Sequence, residues 1–196
     1  TLMRSSAASD VYKRQAYSKE DLRKDVSMAD SYYDKSKDVE AQVAYVKKFL
    51  SEVSIRYDAE NDWPVIRYAD VLLMYAEVLN EVDGPSAGLK YLNLVRERAG
   101  LSKIESDAVT TRNVFRTYLE KERRLELAFE NQRWFDLLRW GKAIEVINKH
   151  IQETEWDFYA GYTQQINKLK DYQLILPIPQ SVIDNNPGVI TQNPNY

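Results

Sequence analysis

Residues 122–141, ERRLELAFENQRWFDLLRWG, decide the fold of this chain, because they set charged groups among large apolar residues at helical spacing. The apolar residues that share one predicted helix face are Phe115, Tyr118, Leu119, Leu125 and Phe129. Glu122 and Glu126 fall on the same stripe. The sequence therefore predicts a helix that partly buries two carboxylates.

A carboxylate removed from water is costly unless a cation pairs with it. Arginine is abundant both in this stretch and in the helices predicted before it. We therefore predict an internal, structural ion network. Its predicted members are Arg67, Arg96, Glu122, Arg123, Arg124, Glu126, Arg133, Asp136 and Arg139.

The chain before this stretch predicts two further helices, starting from Val65. The predicted buried face of the first consists of Tyr68, Val71, Leu72, Tyr75, Ala76 and Leu79. Gly84 and Pro85 should end this helix and begin the next, since glycine follows helix ends and proline favours the first helical position. The second helix should bury Leu89, Leu92, Val95 and Ala99, with Gly100 as a left-handed cap.

The third predicted helix carries the opening stretch, with Thr110 or Thr111 as its N-cap and Asn131 at its end. A fourth should run from about Arg133 through Ile147. Short connections between these helices predict a mainly α fold of tetratricopeptide-like antiparallel pairs, followed by an extended C-terminal tail.

The first third of the chain is polar and irregular, and short alternating stretches such as 41–46 predict one or two strands. We expect residues 1–15 to be a non-native or disordered leader, since they resemble translated sequencing-adapter text. Residues 16–196 should form one domain with a helical core at about 65–150.

Several motifs carry a family resemblance. Residues 67–77 read RYADVLLMYAE and residues 93–101 read NLVRERAGL, both upstream of the opening stretch. LPIP at 176–179 and QNPNY at 192–196 follow it. In this order the motifs resemble the SusD/RagB family of outer-membrane nutrient-binding lipoproteins over roughly residues 20–196.

The resemblance implies a function without chemistry. A cell-surface lipoprotein would capture an oligosaccharide, or another polymer-derived nutrient, and deliver it to a SusC-like TonB-dependent transporter, with no cofactor. Family members carry a lipid on an N-terminal cysteine, and this chain contains no cysteine. We therefore expect the chain to be the C-terminal part of a longer outer-membrane protein, attached only through a lipid anchor outside this fragment.

An aromatic segment after His150 is the local ligand candidate, because exposed rings stack on the apolar C–H faces of sugars. Its predicted binding residues are Trp156, Tyr159 and Tyr162. The alternative is that these rings support the helical layer or the tail, since aromatic side chains are more often buried in cores.

Catalysis and nucleic-acid binding are not favoured by the composition. The net charge of -3 provides no basic stripe, and the single histidine, His150, has no accompanying ligand set. Glu122, Glu126, Glu130 and Asp136 could in principle serve as the acid and base of a glycosidase. Neighbouring arginines should lower carboxylate pKa values, which disfavours a general acid. The remaining alternative is a helical-repeat scaffold that binds another protein.

Overall fold

The computed structural model describes residues 16–29, 31–34, 36–41, 45–51, 61–153 and 167–196. The chain divides into two compact units between Arg133 and Trp134, and each is described by itself. The predicted leader at residues 1–15 lies outside the described residues.

Short elements open the first unit. Helix α1 spans Arg23–Ser27 and leads into strand β1, Met28–Ala29. Strand β1 pairs antiparallel with β4, Tyr45–Val46, with Met28 opposite Val46. Strands β2, Tyr32–Asp34, and β3, Val39–Ala41, form a second antiparallel pair. The predicted short strands are thus present in this part of the chain.

Helices α2, Tyr68–Val82, and α3, Pro85–Arg98, form an antiparallel pair across a two-residue connection. Gly84 in that connection has a φ of +99°, a conformation that costs glycine little, and Pro85 begins α3. The predicted boundary at these two residues is therefore confirmed.

The face that α2 buries agrees with the predicted one only in part, since Ala76 is buried and Leu72 packs against the core as predicted. Tyr68 is 75% exposed and Val71 and Tyr75 are exposed as well, whereas the buried positions are Asp70, Leu73, Ala76 and Asn80. Apolar residues surround most of this helix, so periodicity alone did not select a face. Contacts with other elements mark the buried face. Asp70 accepts a hydrogen bond from Arg123 at 2.8 Å, and the backbone carbonyl of Asn80 accepts one from Arg112 at 2.9 Å.

Helix α4, Arg112–Glu126, packs against both α2 and α3. The Thr111 hydroxyl caps it by accepting a hydrogen bond from the Val114 amide at 3.2 Å. A short 3₁₀ helix, Ser106–Ala108, precedes it. The main core of the first unit consists of Leu73, Ala76, Leu89, Leu92, Val95, Ile104, Val109, Phe115 and Leu119.

The end of α4 comes earlier than predicted, at Glu126 rather than Asn131. Asn131 does adopt the left-handed conformation expected of it, with a φ of 61°, but Phe129 has already done so, with a φ of 67°. A left-handed residue cannot continue a right-handed helix. The segment between Glu126 and Asn131 is therefore a turn rather than the last helical turn.

The predicted single fourth helix is two helices, α5 at Gln132–Arg139 and α6 at Ala143–Glu153. Gly141 separates them with a φ of +67°. Its amide donates to the Leu138 carbonyl at 3.0 Å, and the Lys142 amide donates to the Leu137 carbonyl at 2.9 Å. These two bonds are those of a glycine-terminated helix end, which the apolar periodicity did not reveal.

Within the second unit, carboxamide side chains hold the chain in place. Asn148 accepts from the Leu169 amide at 2.7 Å and donates to its carbonyl at 3.0 Å. Gln192 binds both backbone groups of Ile178 in the same way, at 2.8 and 2.9 Å. A 3₁₀ helix at Asp171–Leu174 and a short helix α7 at Gln180–Asp184 complete this unit.

The described residues confirm the predicted mainly α class. None of the helices within the described ranges combines the length and the apolar composition needed to cross a bilayer.

Candidate functional site

A buried ionic cluster lies at the C-terminal end of α4. Glu122 is 1% exposed and Glu126 is 2% exposed, as the apolar stripe predicted. One Glu122 carboxylate oxygen accepts a hydrogen bond from Arg23 at 2.6 Å, and the other accepts one from Arg96 at 3.1 Å. Two guanidinium groups from different elements therefore hold this carboxylate.

The carboxylate of Glu126 binds three arginines. Arg23 and Arg67 each donate to its carboxylate at 3.0 Å, and Arg98 at the end of α3 donates to it as well. Its backbone carbonyl, left open where α4 ends, accepts from Lys48 at 2.7 Å and from Arg67 at 3.1 Å. The cluster therefore satisfies both the charged side chain and an orphan carbonyl of the helix terminus.

Arg23 is a central member that sequence reasoning missed. It is buried in α1, where its guanidinium binds Asp21 through two bonds of 2.8 and 2.7 Å before reaching Glu122 and Glu126. The Asp-x-Arg spacing at 21–23 was visible in the sequence. The contacts of Arg23 with Glu122 and Glu126, about a hundred residues further along the chain, could not be predicted, because no local periodicity relates α1 to α4.

Glu130 extends the cluster beyond α4. Arg67 donates to its two oxygens at 2.8 Å each, which is the parallel geometry that guanidinium and carboxylate favour. Lys48 contacts the same carboxylate and also donates to the Ala128 carbonyl at 3.1 Å. Glu130 and Lys48 join the predicted members Arg67, Glu122 and Glu126 in one cluster.

Arg123 and Asp70 form a separate buried pair, joined at 2.8 Å. Arg124 is an exception to the predicted network: it lies on the exposed side of α4. Successive helical residues point about 100° apart. Since Glu122, Arg123 and Glu126 face inward, the side chain of Arg124 faces water.

The remaining predicted members lie in α5. Arg133 is half-buried, and buried Asp136 accepts a hydrogen bond from Arg139 at 3.0 Å. The Arg139 guanidinium also lies 4.6 Å from the ring centre of Trp140. Asp136 and Arg139 therefore form a local pair one turn apart.

The electrostatics of the cluster keep Glu126 ionised. Burial by itself raises the pKa of Glu126, but Arg98, Arg23 and Arg67 outweigh it and leave that pKa below its ordinary value. Burial lowers the pKa of Lys48, and Glu130 offsets this only in part. A general acid needs a raised carboxyl pKa, which is the opposite of what Glu126 has.

A cavity of about 250 Å³ opens beside these charges. Its polar lining comes from Arg23, Lys48, Arg67, Arg98 and Glu126, and its apolar lining includes the exposed side chains of Leu22 and Val26. Within the described ranges, no group of three or more acidic, histidine or cysteine side chains is arranged to hold a metal ion.

The predicted sugar-binding residues Trp156, Tyr159 and Tyr162 lie outside the described residues, so their role stays a prediction. On either side of that segment, α6 ends at Glu153, and Leu169 is bound to Asn148.

The sequence as a whole matches a known family. The SusD family model matches residues 4–196, and the chain belongs to the SusD family. It is 31% identical over 178 residues to SusD-like protein P25 of Formosa agariphila, covering 89% of this chain and 32% of that relative. The chain thus spans about a third of the length of that protein.

Solved structures agree with this assignment. The fold is similar to that of surface glycan-binding protein A from Bacteroides thetaiotaomicron in complex with laminarihexaose, with a TM-score of 0.69 and 25% identity over 92% of this chain and 39% of that one. NanU from B. fragilis is similar with a TM-score of 0.65 and 25% identity, covering 95% and 38% of the two chains.

Proposed function

We propose that this chain is part of a cell-surface lipoprotein of the outer membrane that captures an oligosaccharide and delivers it to a SusC-like TonB-dependent transporter. The observation that carries the proposal is membership of the SusD family over residues 4–196. Similarity to a surface glycan-binding protein whose structure contains laminarihexaose supports a sugar ligand.

The ionic cluster acts as scaffold in this function. It connects α1, α3 and α4 through Arg23, Arg98 and Glu126, so that elements far apart in sequence keep one geometry. Its carboxylates are held as ion-pair partners, and Glu126 has a lowered rather than a raised pKa. These carboxylates therefore have a structural role, and we propose that the protein binds its ligand without changing it.

Trp156, Tyr159 and Tyr162 are proposed to contribute aromatic surface to the ligand site. Substituting Trp156→Ala should leave thermal unfolding unchanged and reduce retention of the protein in gels containing its glycan. Trp140→Ala serves as a matched aromatic control, because the Trp140 ring lies against the guanidinium of its chain neighbour Arg139 and is not a predicted ligand residue. Unchanged retention of the Trp156 variant would remove that residue from the proposed site.

The function itself is tested with the full-length protein against a panel of soluble polysaccharides in affinity gels. We expect retardation by at least one glycan and no new reducing ends after prolonged incubation. Co-purification of the neighbouring transporter would support delivery. Absence of retardation by every glycan would contradict the proposal, and release of reducing ends would indicate an enzyme.

A protein-binding scaffold is the second candidate, and the exposed side of α2 favours it. Tyr68, Val71, Tyr75, Val78 and Val82 form an apolar face on this helix. Apolar faces of this kind mark sites of contact with other protein surface. Substituting Val78→Asp in the full-length protein would weaken partner capture, with glycan retention unchanged, if this candidate is correct.

A further inference from the structure

The ionic cluster of the first unit carries one more positive than negative charge. Its cations are Arg23, Lys48, Arg67, Arg96 and Arg98, and its carboxylates are Asp21, Glu122, Glu126 and Glu130. Five cations against four carboxylates leave a surplus of one positive charge among the described residues. Buried charges favour complete pairing, so the position of this surplus matters.

Among the described residues, Arg98 is the cation of the cluster with unused hydrogen-bond donors, since Arg96 also binds the Ser102 carbonyl and Lys48 has three acceptors. Arg67 uses all three of its guanidinium nitrogens on Glu126 and Glu130, and Arg23 uses all of its own on carboxylates. Arg98 makes a single contact, from Nη2 to Glu126. Its Nε and Nη1 atoms have no hydrogen-bond partner in the described part of the chain, and its side chain is 56% exposed.

Arg98 also lines the 250 Å³ cavity, beside Leu22 and Val26. A guanidinium with two available nitrogens suits a carboxylate, which it can bind through two parallel hydrogen bonds. The two aliphatic side chains offer apolar surface to the C–H face of a sugar ring. The volume lies below the roughly 300–1,000 Å³ typical of pockets for drug-sized ligands, so it suits a single ring.

We propose that this cavity is a subsite for an acidic sugar, with the carboxylate of a hexuronate residue bound by Arg98. The inference deepens the proposed function and rests on it. The missing negative charge of the cluster would then be supplied by the ligand, and occupation of the subsite would bring the cluster to neutrality.

The same carboxylate chemistry has a second possible source. SusD-like protein P25 is about three times as long as the part matched here. An aspartate or glutamate from elsewhere in a longer protein could therefore occupy the cavity. The experiment must separate a bound uronate from such a side chain.

The test uses the full-length protein in isothermal titration with trigalacturonate and with its methyl ester, which has the same rings without the charge. We expect the wild-type protein to bind the acid at least tenfold more tightly than the ester. Arg98→Gln should lower the thermal midpoint slightly, because it loses the contact with Glu126, and should weaken binding of the acid at least tenfold. Arg98→Lys should restore part of the loss, since it keeps the charge without the two-pronged geometry.

Arg116→Gln is the matched control, because Arg116 is also exposed and paired with a glutamate, Glu81, but does not line the cavity. It should bind trigalacturonate as the wild type does. Equal affinity for acid and ester, or an unchanged affinity in Arg98→Gln, would overturn the subsite. Absence of any binding of the acid by the wild-type protein would leave the cavity to an internal carboxylate and also overturn the subsite.

The outcome for the subsite is distinguishable from that for the proposed function. Retention by a neutral glycan without binding of trigalacturonate would overturn the acidic-sugar subsite and leave the glycan-binding function standing. If no glycan binds the protein, both the acidic-sugar subsite and the glycan-binding function are overturned.

Discussion

Helix α4 has arginine–carboxylate contacts near both ends, and these contacts differ in their exposure to water. Near its start, Arg116 binds Glu81 of α2 with side chains that are 46% and 39% exposed. Near its end, Glu122 and Glu126 are almost fully buried among arginines. Arginine–carboxylate pairing therefore occurs once at the solvent-exposed surface and once in the protein interior.

The difference in burial changes what each contact does. An exposed pair competes with water and loses side-chain entropy, so it contributes about 0.2–1 kcal/mol. A buried cluster has a large desolvation cost that pairing offsets, and its net contribution is small while it is complete. Removing one member of the buried cluster leaves its partners with incompletely paired charges. The buried cluster is therefore a device that specifies one arrangement of α1, α3 and α4, and the exposed pair is nearly dispensable.

Glu126→Ala should produce the largest effect, because it removes the buried carboxylate shared by Arg23, Arg67 and Arg98 and leaves their charges incompletely paired. We expect the free energy of unfolding of the full-length protein to fall by about 3 kcal/mol. Thermal and urea-induced unfolding would measure this. A midpoint equal to that of the wild type would show that the cluster behaves as a solvated surface.

Arg123→Met should have the next largest effect, about 2–3 kcal/mol, because it leaves Asp70 buried without this partner. The double variant Arg123→Met with Asp70→Leu should lose less than the two single variants added together, since it removes both charges. Denaturant unfolding of the three variants provides this double-mutant cycle. Strictly additive losses would contradict coupling across the pair.

The sequence could predict the parts of this arrangement that have a local signal. Burial of Glu122 and Glu126 followed from their position on an apolar stripe. The α2–α3 boundary followed from Gly84 and Pro85, and the N-cap of α4 from a threonine before an apolar run. These features depend on residues within a few positions of one another.

The features that were missed depend on distance in sequence. Arg23 and Lys48 come from the irregular first part of the chain and meet α4 only in the fold. The buried face of α2 was set by partners of Asp70 and Asn80 on another element, not by its own periodicity. Arg124 was included with the other arginines of the opening stretch, but helix geometry turns it outward.

Lowering the pH should reduce the stability that ionised Glu126 contributes to the protein. Burial raises the pKa of Glu126, and Arg98, Arg23 and Arg67 lower it further than burial raises it, so its folded-state pKa lies below the unfolded value. Stability from its ionised form is thus fully present above the unfolded pKa of about 4.3 and is lost as the pH falls towards the folded pKa. We expect the free energy of unfolding to decrease across this acidic range.

Glu126→Gln is the control for the acid effect, since the amide keeps the shape of the side chain and does not titrate. Its stability should depend less on pH below about 5 than that of the wild type. Denaturant unfolding at a series of pH values would measure the two slopes. Identical slopes would assign the acid sensitivity to other carboxylates.

Arg116→Ala should produce the smallest effect, because its partner Glu81 remains exposed to water and keeps its hydrogen bond from Asn80. We expect a loss of about 0.5 kcal/mol or less at low ionic strength. This loss should vanish in about 1 M salt, where the Debye length is about 3 Å, whereas the loss in Glu126→Ala should largely persist because buried charges are poorly screened. Unfolding of both variants in low and high salt measures the contrast. An Arg116→Ala loss as large as that of Glu126→Ala would mean that burial does not separate the two ends of α4.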